Sequence, residues 1–177
     1  MDFQVIRSDR KTLVAEIKKD GSVLVRAPYF CSVRFIDNFI KSNEEKIINK
    51  QNKILAQPKP PVISKKQREE MRIFAKKHIL PRVKVMSEKC GLSYESVRIT
   101  SARTRFGSCS GKNAISLSLY LALADEKEID YVILHELCHT KEHNHSARFY
   151  QLVESFMPDW KEREVRLKKI IIPEVCE

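Results

Sequence analysis

The 177-residue chain is poor in glycine, with four in all, and no Gly-rich phosphate loop can be drawn from them. It has no apolar run approaching the length of a membrane span. Its opening, Asp2-Phe3-Gln4-Val5-Ile6-Arg7, lacks the charged and apolar regions and the cleavage site of a signal peptide. A cytoplasmic location is therefore expected. The five cysteines, Cys31, Cys90, Cys109, Cys138 and Cys176, are odd in number, scattered and without CxxC spacing. They read as reduced thiols, outside any metal site. Internal repeats and low-complexity tracts are also absent.

Positive charge is abundant and uneven. The chain carries a formal +10, and residues 41–84 hold 13 Lys or Arg against 4 Asp or Glu, a net of +9. Such a stretch can attract nucleic acid or nucleotide phosphates, but it has neither interleaved aromatics nor a nucleic-acid motif, and a solvated helix face is the simpler reading. The length allows one good core with a small satellite lobe.

Histidine is concentrated in one place: four of the five lie in the eleven residues from His135 to His145. His135-Glu136-Leu137-Cys138-His139 places two imidazoles four residues apart, one above the other on one face of a helix, where both reach a single point. Glu136 lies beside the first histidine, offset round the helix, where it can face a metal-activated water without being a ligand. The preceding run, Ile129-Asp130-Tyr131-Val132-Ile133-Leu134, is apolar enough to bury the helix, and Asp125 with Glu128 reads as its capping box. Catalytic zinc usually takes three protein ligands and keeps a fourth position open. His143 would supply the third if the helix continued, His145 if the chain turned back. Asn144 tolerates a left-handed turn and Ser146 is a good N-cap for a helix bearing Phe149, Leu152, Val153 and Phe156, so His145 is preferred.

Residues 103–160 contain Arg103-Thr104-Arg105-Phe106-Gly107-Ser108-Cys109-Ser110, the strand-like Ile115 to Leu121, the metal motif with the residues before it, Asn144-His145-Ser146, Phe149-Tyr150 and Pro158-Asp159-Trp160. Together they resemble the YgjP-like predicted zinc metallopeptidases, and more weakly the resemblance extends over nearly the whole chain. It implies zinc on His135, His139 and His145, with Glu136 as the catalytic glutamate. The family usually shows Trp-Gly-Ser-Cys where this chain has Phe106-Gly107-Ser108-Cys109. The spacing from His135 to His145 also equals that of the metzincin proteases, but Glu142 stands where they have glycine and no methionine turn follows.

The expected fold is α+β, with an N-terminal antiparallel β-rich lobe carrying a helix (1–57) and a zincin-like helical core around a small sheet (58–177). In the first part, residues 3–7, 12–18 and 23–26 read as strands, with Asp20-Gly21 as a hairpin turn. Ser32 can cap a helix through Val33, Ile36, Phe39, Ile40 and Ile47. Gln57-Pro58-Lys59-Pro60-Pro61 is a connector. A helix from about Lys65 to Leu80 follows, then a stretch that Pro81 begins or kinks, ending at Gly91. Strands beginning at Val97 and running from Ile115 to Leu121 are expected to pair beside the metal helix, with Gly107 and Gly111 marking a turn between them. Asp159 can cap a last helix from Trp160 to about Ile171.

The function expected is hydrolysis by one zinc ion per chain, with Glu136 as general base and a peptide or protein as substrate, held against an edge strand; Arg103 or Arg105 either binds a carboxylate or phosphate there or is simple surface charge. Two alternatives remain: a metal-dependent nucleotide phosphohydrolase of pyrophosphatase type using the same site, and a basic nucleic-acid-binding module that acts through the 41–84 region and holds a structural metal.

Overall fold

Val23-Leu24-Val25-Arg26-Ala27-Pro28 is apolar at nearly every position, and a strand that reads so must be covered on both faces. The computed structural model, which describes residues 2–18, 20–56 and 58–176, places it accordingly. Strand β3 (Val23–Pro28) lies at the centre of a three-stranded sheet, between β1 (Phe3–Ser8) and β2 (Val14–Ile17). β2 and β3 form the expected antiparallel hairpin, but β1 pairs parallel with β3, Phe3 opposite Val23 through Ser8 opposite Pro28. The sheet is therefore mixed and not antiparallel throughout. Alternation along β1 and β2 suits edge strands, and the more apolar third strand takes the middle. Ser32 caps α1 (Val33–Ser42), accepting from Phe35 N–H, and α2 (Glu44–Leu55) follows after a break at Asn43, where one helix was expected. Val23, Val25 and Ala27 pack with Ile36, Ile40 and Ile47 as the core of this part.

The chain divides into two compact units, Met1–Lys59 and Pro60–Glu177. Of the expected connector, Gln57 lies outside the described residues, and residues 58–61 are irregular.

The second unit begins with β4 (Val62–Ile63), which pairs parallel with the last strand, β8 (Glu174–Val175). A full capping box between Ser64 and Gln67 starts α3 (Lys65–Phe74). Pro81 is accommodated without ending the helical path. The turn before it widens to a π-helical segment, Ala75–Ile79, and α4 (Leu80–Cys90) continues from there to Gly91, left-handed at φ 62°. The basic side chains Lys65, Lys66, Lys76, Lys77 and Lys84 are exposed along this path.

Three strands, β5 (Ser96–Thr100), β6 (Gly107–Cys109) and β7 (Ala114–Ser118), form a sheet in the order β5-β7-β6. β7 pairs parallel with β5 and antiparallel with β6. Gly107 is thus the first residue of a strand and not a turn, whereas the chain does turn at Gly111. The strand expected to reach Leu121 stops at Ser118, and Leu119–Leu123 is a 3₁₀ turn with Leu119, Tyr120 and Leu121 buried.

Helix α5 (Glu126–Cys138) runs through the core, burying Ile129, Val132, Ile133, Leu134 and Leu137 among others. Asp125 stands at its N-cap, but the capping box is not made. Glu128 is instead buried, and its Oε1 accepts from Arg166 Nε at 2.5 Å. That arginine belongs to α7 (Trp160–Leu167), which follows α6 (Ala147–Phe156). Asp159, expected to cap α7, holds Arg163 Nε at 2.9 Å and makes no cap bond. Helix makes up 49% and strand 19% of an α+β fold. No helix among the described residues is long and apolar enough to cross a membrane.

Candidate metal centre

His135 and His139 occupy the last turn and the C-cap of α5, a position fixed by the buried face beneath them. The helix ends there through tight turns: Thr140 N–H bonds Leu137 O at 3.0 Å, and Glu142 N–H bonds Cys138 O at 3.0 Å. Asn144 does not adopt the left-handed conformation expected of it, since among the described non-glycine residues only Asn113 has positive φ. The return is made by the 140–146 segment as a whole, with Ser146 N–H bonding Asn144 O at 2.8 Å and Ser146 Oγ capping α6 through Phe149 N–H. Its result is a convergence of three imidazoles. The Nε2 atoms of His135, His139 and His145 lie 3.0, 3.1 and 3.2 Å apart in pairs. His143 is exposed and takes no part in the cluster.

Three further features suit the cluster to a metal. Nitrogens bound tetrahedrally at about 2.0–2.1 Å stand about 3.3 Å apart, close to the observed triangle. His139 Nδ1 lies 3.0 Å from Glu142 O, and a carbonyl can only accept, so Nδ1 carries the proton and Nε2 presents a lone pair to the centre. Burial, with the two neighbouring imidazoles, pushes His135 down to about 3, keeping it in the neutral form that ligates. Beneath all three rings lies Phe149, fully buried, with its centroid 4.8, 4.3 and 5.0 Å from those of His135, His139 and His145. Tyr150 stacks on Trp160 at 5.0 Å and so steadies α6 against α7, which gives Trp160 the packing role its position suggests.

Glu136 is 5% exposed, and its Oε2 has no hydrogen-bond partner among the described residues. Burial pushes its carboxyl up to about 7, against the opposing pull of the Arg105 guanidinium. The side chain rests on the backbone of β6: a Cβ added at Gly107 would meet Glu136 Oε1 at 2.5 Å, Cγ at 2.7 Å and Cδ at 2.8 Å. Glu136 and His135 share the wall of a cavity of about 360 Å³ with Phe106, Tyr131 and Leu167, and Arg105 and Lys168 also line it. Arg103 is exposed and lines no part of this cavity. An unpartnered buried carboxylate oxygen beside three convergent imidazoles is the arrangement that metal-assisted hydrolysis uses.

Sequence reasoning did not identify Gly107 and Phe149 as parts of the site. An isolated glycine within a strand pattern is a signal of close backbone approach, and Gly107 carries it. Phe149 gave only the signal of an apolar helix position.

No curated protein matches the chain. Among solved structures it is similar to the metallopeptidase zymogen abylysin of Pyrococcus abyssi, with 25% identity, TM-score 0.48, and coverage of 55% of this chain and 99% of that one. It is also similar to the metallopeptidase zymogen jannalysin of Methanocaldococcus jannaschii, with 23% identity, TM-score 0.47, and coverage of 53% and 97%. The family model of the YgjP-like metallopeptidase domain matches residues 63–170, which include β5 to α7 and every side chain of the cluster. With more than half its length matched, this chain belongs to the YgjP-like metallopeptidase family and is a metallohydrolase.

Proposed function

We propose that the enzyme is a zinc-dependent peptidase in which His135, His139 and His145 hold one zinc ion per chain through Nε2 and Glu136 is the general base. The observation that carries this reading is Glu136 Oε2, buried without a partner in the cavity wall that Glu136 shares with His135. A buried carboxylate oxygen that bonds nothing in the protein costs stability, and a site that uses it for water and substrate accounts for its retention. An open catalytic site is favoured over a structural metal for the same reason. Membership of a peptidase family favours peptide over phosphoanhydride chemistry.

Bound zinc supplies a Lewis acid that polarises the scissile carbonyl and lowers the pKa of water toward neutrality. The protein's own groups do the rest. Glu136 Oε2 accepts the proton of the attacking water and returns it to the leaving amine nitrogen. Phe149 keeps the three rings in place, and the Nδ1–H bond of His139 to Glu142 O aims its Nε2. The main chain of β6, at the edge of its sheet, holds the peptide in extended form. Arg105 stands at the cavity wall to meet a substrate carboxylate, while Arg103, outside the cavity, is left with no part.

Replacing Glu136 by Gln tests the assignment. The variant is expected to bind zinc as the wild type does and to lose roughly 10²–10⁴-fold in peptide turnover. Turnover at the wild-type rate would contradict it.

A further inference from the structure

The β5-β7-β6 sheet has two faces of opposite character. Residues Val97, Ile99, Ile115, Leu117, Gly107 and Cys109 share one face by register, and the apolar members pack in the core beside α5. Arg98, Thr100, Ser116, Ser118 and Ser108 share the other. That second face is not flat: with Arg105 at its rim it forms a pocket of about 140 Å³. Among the described residues no carboxylate lines it, and neither Arg98 nor Arg105 forms an ion pair.

The donors are partly held in place. Arg98 Nε donates to Ser116 Oγ at 3.0 Å, which leaves the hydroxyl hydrogen of Ser116 free to point into the pocket. Ser118 Oγ donates to Ala102 O at 2.6 Å and so fixes the segment that leads to Arg105. The Arg98 guanidinium and that of Arg105, whose charge also acts on Glu136, make with the hydroxyls of Ser108 and Ser116 a donor-rich, acceptor-poor pocket. A small oxyanion is the complement of such a set.

The position of the pocket says where that anion sits on a substrate. Phe106 O accepts from Ser118 N at 2.7 Å and Ser110 N donates to Ala114 O at 3.0 Å, so alternate residues of the β6 segment turn their main chain toward β7. Gly107 and Cys109, between them, turn theirs to the open edge. A peptide added at that edge sends successive side chains to opposite faces of the sheet. Those on one face meet the Glu136 cavity, and those on the other meet the Arg98 pocket. Arg105, Phe106 and Gly107 line both.

We propose that the pocket formed by Arg98, Arg105, Ser108 and Ser116 binds a carboxylate of the peptide substrate, giving the enzyme a preference for an acidic residue near the bond cleaved. This rests on the peptidase reading above. The carboxylate can come from an Asp or Glu side chain or from the peptide's own C-terminus.

The test has two arms. In the first, zinc-loaded enzyme is given a quenched peptide library in which each position is varied in turn, with every peptide made as free acid and as amide. One position should favour Asp and Glu over Asn and Gln by about tenfold in kcat/KM, and Arg98→Gln and Ser108→Ala should bring that ratio near one. A preference that needs the free acid assigns the pocket to the C-terminus, and one that survives amidation assigns it to a side chain. Cleavage with no acidic preference, or a preference untouched in Arg98→Gln, overturns the pocket and leaves the peptidase reading standing. The second arm measures binding of a fluorescent oligo-glutamate peptide and its glutamine counterpart to the zinc-loaded Glu136→Gln protein, with and without Arg98→Gln. Tighter glutamate binding that Arg98→Gln weakens about tenfold supports the pocket even if the library is not cleaved, an outcome that would count against the peptidase reading alone. Equal binding of the two peptides overturns the pocket.

Discussion

Glu136 lies where a side chain at Gly107 would have to be. An added Cβ would stand 2.5 Å from its Oε1, closer than any carbon and oxygen rest without a bond, so the hydrogen at Gly107 sets the depth to which the carboxylate can settle against β6. A helix residue and a strand residue 29 positions apart are thus one structural feature.

Gly107→Ala should therefore displace the carboxylate. Overpacking of this kind costs about 1–3 kcal/mol of stability. Peptide turnover should fall about 10²-fold, the effect of misplacing a catalytic group by an ångström, while zinc content stays at the wild-type level. Denaturant titration of a double-mutant cycle checks the cause: in a Glu136→Ala background, where the obstructing atoms are gone, Gly107→Ala should cost much less. An equal cost in both backgrounds would place the strain elsewhere.

Phe149 supports the three imidazoles from below, and its removal should be felt twice. Phe149→Ala is expected to destabilise the fold by about 3–5 kcal/mol, because the ring is fully buried and leaves a cavity. Zinc affinity should fall as well, since the rings lose the surface that orients them. Phe149→Leu should recover most of the stability and less of the affinity, a separation that chemical denaturation and a competitive zinc titration can read.

Arg166 faces the one carboxylate at the start of α5 that is buried. Its loss leaves Glu128, 3% exposed, without its charge partner. Arg166→Ala should lower the thermal midpoint clearly more than Lys168→Ala, which removes a pair between an exposed lysine and the partly exposed Glu164. Converting Glu128 to Gln along with Arg166→Ala should restore part of the loss. Equal midpoints for the two single variants would contradict the assignment of Glu128 to α7.

Much of the geometry of the candidate site was legible because it is set locally. The four-residue spacing of His135 and His139, the apolar run before them and Ser146 after His145 each act over one or two helical turns, and sequence reasoning handles that range well. Contacts made across the fold were not legible. Glu128 fits a capping box with Asp125 by spacing alone, yet Arg166, 38 residues away, takes it. Gly107 reads as a turn when judged by its neighbours and becomes a strand residue only when Leu117 pairs with it. The N-terminal sheet shows the same limit: hairpin chemistry at Asp20-Gly21 predicts the β2-β3 pair, but nothing local tells β1 to join β3 in parallel. The turn that the sequence suggests at Asn144 is shared by several main-chain bonds.

The most direct test of the central claim is metal content, measured by elemental analysis on purified wild type, His145→Ala and His143→Ala after resupply with zinc. The three convergent nitrogens predict one zinc per chain in the wild type and in His143→Ala, and a loss of bound zinc in His145→Ala. Zinc retained in His145→Ala but lost in His143→Ala would show that the third ligand is misassigned, and a wild type that binds no zinc would remove the basis of the mechanism.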